Sequence, residues 1–125
     1  MYAASALRQY QQVNTQAQLV EASPHRLIQM LLEGALDRLA QAQGAMMRGQ
    51  VAEKGLLIGK AVKIVCGLRE ALNKEQGGQL AENLDGLYEY IVHQLTQANL
   101  KNDAQALQHV ASLLREIKEG WDGIA

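Results

Sequence analysis

Three histidines, one cysteine and a scatter of carboxylates are the side chains in this 125-residue sequence that could carry chemistry. A di-iron centre in a helical bundle needs Glu-x-x-His pairs, which put both ligands on one helix face. No glutamate here has a histidine three residues later. The nearest approach, Glu89 with His93, falls on a polar face opposite Leu84, Leu87 and Ile91. His25, His93 and His109 are the only histidines and each lies on a different predicted helix, which argues against a metal site. The sequence asks for no metal and no cofactor.

Covalent chemistry fares no better. A phosphotransfer histidine needs an exposed mid-helix position, a nearby lysine and a small residue one turn on. His93 is followed by Gln94, Leu95, Thr96 and Gln97, which supply neither. His25 sits in a first helical turn before Arg26, Leu27, Ile28 and Gln29, and reads as a helix-end surface residue. Cys66 lies among Val62, Ile64 and Val65 with no adjacent histidine, the setting of an inert, buried thiol. Glu82, Asp85 and Glu89 share a face opposite the apolar one and read as a solvated stripe. The expectation is a protein that binds another polypeptide and is not an enzyme.

The elements that position these residues are helices. Ser23-Pro24 is the clearest start, since serine caps free N–H groups and proline at the first helical position gives up no needed donor. Ile28, Leu32, Ala35, Leu39, Ala42 and Met46 then alternate spacings of four and three, a seam for shallow-angle helix packing. Arg48 and Gly49 suit its C-terminal end. A second helix is predicted from about Val51 to Leu72, with the seam Ile58, Ala61, Val65, Leu68 and Leu72. Asn73 to Gly78 reads as a turn, broken by Gly77-Gly78. A third helix carries Leu80, Leu84, Leu87, Ile91, Leu95 and Ala98 and ends near Asn99. Asn102 is the expected cap of a fourth, with Gln105 as capping-box partner and Leu107, Val110, Leu114, Ile117 and Trp121 as its seam. The fold class is therefore all-α, an antiparallel up-down four-helix bundle over residues 23–125. Residues 1–22 form a short helical N-terminal arm. Ala4, Leu7 and Tyr10 make one apolar face in it, Val13 extends that face, and a polar loop follows.

Composition narrows the partners. With 12 basic against 13 acidic residues, no global positive field exists to neutralise a nucleic-acid backbone. The apolar runs are too short to cross a bilayer, no signal-peptide pattern opens the sequence, and a single cysteine fits a reducing cytoplasm.

What remains unexplained is an excess of apolar surface. The second predicted helix is apolar or small well beyond its seam: Leu57, Ile64 and Ala71 flank one side, Val62 and Cys66 with Gly55 and Gly59 the other. Tyr88 and Val92 widen the third helix in the same way. Such a helix is either the most buried of the bundle or part of a groove for a partner helix. Both readings stay open. The candidate groove residues are Leu57, Val62, Ile64, Cys66, Tyr88 and Val92. Charge is also uneven. Lys54, Lys60, Lys63, Arg69 and Lys74 outnumber Glu53 and Glu70 in the second helical segment, whereas residues 75–98 hold four acidic and no basic residues. Pairing between neighbouring helices is the simpler reading of that asymmetry.

The run Ala22-Ser23-Pro24-His25-Arg26-Leu27-Ile28-Gln29-Met30-Leu31-Leu32-Glu33-Gly34-Ala35 resembles the signature of the flagellin-specific export chaperones, the FliS family. The likeness includes Ala6-Leu7, Tyr10 and Val13 upstream. Downstream it takes in Asn83-Leu84, Leu87-Tyr88-Glu89-Tyr90, Ala98-Asn99 with Asp103, and Leu113-Leu114 through Trp121. One departure is Leu32, where relatives usually carry phenylalanine or tyrosine, which alters core volume. The resemblance implies a cytosolic chaperone that binds the disordered C-terminal region of flagellin. It keeps flagellin from polymerising early and delivers it to the flagellar export gate. It also implies that Leu7, Tyr10 and Val13 cap the client groove or dock on the gate. An adaptor bundle for another secretion client or regulator is the alternative.

Overall fold

The computed structural model describes residues 22–124. These form four helices: α1 (Pro24–Met47), α2 (Val51–Glu70), α3 (Lys74–Lys101) and α4 (Ala104–Asp122). Each packs on its neighbours in a ring, α1 on α2, α2 on α3, α3 on α4 and α4 back on α1. The start of α1, end of α2, start of α3 and end of α4 meet at one end, as an up-down bundle requires. The predicted arm, with Leu7, Tyr10 and Val13, lies outside the described residues except for Ala22.

The helix ends follow from local chemistry. The Ser23 hydroxyl accepts the Arg26 N–H at 3.1 Å, with Pro24 opening the helix behind it. Gly49 takes a φ of 71° just past α1, where a side chain would be strained. The expected turn at 73–78 is instead helical at its start. Asn73 caps a single turn by accepting the Gln76 N–H, and the break comes at Gly78, with φ 54° and ψ -130°. Gly77 is needed for a different reason: a Cβ there would come within 2.7 Å of the Ala81 methyl carbon. The Gly77-Gly78 pair thus folds the first turn of α3 back against the rest.

The cap of α4 is a correction to the sequence reading. Asp103, not Asn102, accepts the Ala106 N–H. Asn102 adopts the left-handed conformation that ends α3, and its side chain is held by Lys54. One residue ends a helix and the next begins another, so the capping box with Gln105 does not form.

Leu32, Leu39, Ile58, Val65, Leu68, Ile91, Leu95, Leu107, Val110 and Leu114 fill the core, and Ala35, Ala42, Ala45, Ala61 and Ala98 let the helices approach. Each large apolar side chain taken from water contributes about 1.5–3 kcal/mol, so this seam supplies most of the stabilisation. Lys54 is the one buried charged residue among those described, 5% exposed. Its ammonium donates to the Asn99 carbonyl at 2.9 Å and to Asn102 Oδ1 at 2.8 Å, joining the start of α2 to the end of α3. A cation is favoured there by the negative end of the α3 dipole.

Candidate functional site

Burial along the four seams is uneven, and the unevenness locates the site. In mid-bundle most seam residues are fully covered, with Leu87 half-buried. Towards one end Ile28, Leu72, Leu84, Ile117 and Trp121 are only half-buried, and Leu80 is 63% exposed. The sequence reading placed Leu80 in the core. It falls in the first turn after the Gly78 break and lines the cleft from its exposed side. The helices leave there an apolar cleft of about 550 Å³, with Leu32, Leu68 and Tyr88 among its deeper residues and Leu80 and Ile124 among the exposed ones. The volume lies in the range that takes a compact apolar ligand or a few side chains of a partner.

Polar contacts hold the cleft's walls in place. The Trp121 indole donates to the His25 carbonyl at 2.9 Å, and the two rings stack with centroids 4.8 Å apart. His25 is therefore a packing partner of Trp121 rather than a bare helix-end residue. Beside this stack, Gln29 donates to Asp122 at 2.7 Å, Lys118 pairs with Asp122 at 2.7 Å, and Arg26 pairs with Glu33 at 3.2 Å. On the opposite wall Arg69 of α2 pairs with Asp85 of α3. Lys74, from before the Gly78 break, reaches the same carboxylate at 3.2 Å. Asp85 is thus half-buried and paired rather than part of a solvated stripe, and this basic-to-acidic pairing of α2 with α3 is the simpler reading of the charge asymmetry. Hydrogen bonds from Arg69 and then Lys74 hold the Asp85 carboxyl below its usual range, and Lys118 does the same for Asp122. Burial pushes the Tyr88 phenol up to about 12.

The six groove candidates do not form one open strip. Leu57, Ile64 and Tyr88 are buried in the core cluster, whereas Val62, Cys66 and Val92 are half-buried. Tyr88 alone among them lines the cleft. On the Leu57 and Ile64 side, the breadth of α2's apolar face reflects burial within the bundle. Sequence reasoning missed the cleft because it depends on how four helix ends face one another, which periodicity does not register. The Gly77-Gly78 break beside Leu80 was the available signal. Among the described residues no cluster of three or more His, Cys, Asp or Glu side chains is arranged to hold a metal ion. His109 lies 3.1 Å from the Tyr90 hydroxyl instead. Among the same residues no helix is long and apolar enough to cross a membrane.

The four helices thus form a bundle whose core opens at one end into an apolar cleft. Comparison with known sequences shows the family. The profile of the family described as "Flagellar protein FliS" matches residues 6–125. The flagellar secretion chaperone FliSB of Pseudomonas aeruginosa is 59% identical over 125 residues, 100% of this chain and 99% of that protein. The flagellar secretion chaperone FliS of Salmonella typhimurium is 44% identical over 126 residues, covering 100% and 93%. That of Bacillus subtilis is 31% identical over 100 residues, covering 80% and 74%. The chain belongs to the FliS family of flagellar secretion chaperones.

Proposed function

We propose that this chain binds the disordered C-terminal region of flagellin in the cytosol, prevents its premature polymerisation and delivers it to the flagellar export gate, without catalysing a reaction. The observation that carries this reading is the apolar cleft where the four seams run out, in a chain of the FliS family. An unfolded segment gains helix only by burying one face, and the uncovered seam residues offer a surface for it. Ordering such a segment costs several kcal/mol, so contact must extend beyond one cleft. Val62, Cys66 and Val92 are candidates for that extension, with Leu57 and Ile64 supporting them from the core.

Residues 1–22 act in this reading as a cap. Ala22 and Ser23 lead into α1 at the cleft end of the bundle, and Leu7, Tyr10 and Val13 precede them in the sequence. A cap of this kind competes with the client and is displaced by it. The test is co-expression of the chain with intact flagellin and with flagellin lacking its C-terminal region. Copurification of the intact form alone, with delayed polymerisation, supports the reading. Equal capture of both forms, or of neither, contradicts it and points to a different client.

A further inference from the structure

Tyr88 is 3% exposed, lines the apolar cleft, and its hydroxyl makes no hydrogen bond with any described residue. A buried hydroxyl without a partner is costly, and most such groups in folded proteins are satisfied. The other polar groups around the cleft are accounted for. The Trp121 N–H is taken by the His25 carbonyl, the Asn73 side chain caps Gln76, and Gln76 and Glu116 are exposed to water. We infer that the Tyr88 hydroxyl is a specificity determinant, donating a hydrogen bond to a side-chain amide oxygen, Asn or Gln, on the apolar client segment seated in the cleft. This rests on the client-binding function proposed above.

Three features select that acceptor. The cleft wall is apolar, so an unpaired carboxylate would lose its hydration there without compensation, and Glu116 adds like-charge repulsion. The phenol stays protonated through the physiological range, so it serves as a neutral donor. Backbone carbonyls in the interior of a segment that folds into helix are already engaged in i to i-4 bonds, so away from the segment's last turn a side chain answers Tyr88. An apolar segment without an amide at the matching position would leave the hydroxyl unpaired, and buried unpaired groups are how such sites reject near matches.

The experiment compares the full chain with its Tyr88→Phe variant, which keeps the ring and removes only the oxygen. A flagellin C-terminal peptide is titrated into each by calorimetry, beside thermal melts of the empty proteins. The expected result is affinity weakened about three- to tenfold, with an unchanged or raised melting temperature. Alanine at one Asn or Gln of the peptide should cost the same with the parent chain and nothing further with the variant. Equal affinity overturns the inference. Tighter binding by the variant also overturns it, by showing the hydroxyl engaged within the empty chain. A melting temperature that falls in step with affinity makes the role structural and overturns it too. A parent chain that fails to bind the peptide removes the client reading itself, an outcome separate from the others.

Discussion

The Trp121 indole N–H and the His25 carbonyl meet at 2.9 Å across a separation of 96 residues, and their rings stack nearly parallel at an interplanar angle of 13°. This contact joins the last turn of α4 to the first turn of α1 beside the cleft. Trp121→Phe keeps an aromatic ring and removes the donor, so it should cost about 0.5–1.5 kcal/mol in denaturant unfolding. Trp121→Ala should cost more, about 3 kcal/mol, through lost packing. Equal losses for the two would mean the ring contributes nothing.

Trp121 is also the only tryptophan, and it lines the cleft. Its fluorescence therefore reports on that site alone. Addition of a saturating flagellin C-terminal peptide that lacks tryptophan should shift the emission to the blue as water leaves the half-exposed ring. Binding by calorimetry with an unaltered spectrum would place the client elsewhere on the bundle.

Truncation of the fully covered seam should be expensive. Leu39→Ala and Leu114→Ala should each destabilise the chain by about 2–5 kcal/mol, since both side chains are buried against all their neighbours. By contrast, Leu80→Ala, at an uncovered position, should stay within about 0.5 kcal/mol while weakening the client complex.

The Asp85 pairs give stability a defined pH dependence. Because Arg69 and Lys74 lower its pKa in the folded chain, its contribution is complete above the ordinary carboxylate value of about 3.9. It is lost as pH falls below that value and through the lower folded one. Asp85→Asn should destabilise the bundle at neutral pH, and the difference from the parent chain should shrink in acid. A difference that persists unchanged at pH 2 would assign the effect to packing.

Lys54 tests the opposite end. Lys54→Met keeps most of the side-chain volume but leaves the Asn99 carbonyl and the Asn102 amide oxygen without their shared donor. A loss of about 2 kcal/mol, with client affinity retained, is expected in parallel melts and titrations.

Much of the bundle was legible because its signals are local. Ser23-Pro24 and Gly49 mark the ends of α1 through their own backbone requirements, and the spacing of Leu32, Ala35, Leu39 and Ala42 reports one face of one helix. What escaped depends on contacts between helices. Asn102 and Asp103 are equally good caps in isolation; Lys54, distant in sequence, settles the choice by holding Asn102 at the end of α3. Leu80 keeps the heptad spacing yet stands uncovered, because the Gly78 break and the diverging helix ends decide what faces it. Tyr88 was legible as an apolar extension of α3, but that its hydroxyl has no partner among the described residues was not, since that follows from the side chains around it.

The central claim, that this chain binds the C-terminal region of flagellin, is tested most directly by titrating that peptide into the full chain and recording heat and far-UV circular dichroism together. Saturable binding is expected, with a helical signal larger than the sum of the separate components, because the segment folds as it buries its apolar face. Deletion of residues 1–22 should hold or tighten the affinity if they cap the cleft. No heat and a strictly additive spectrum would contradict the account.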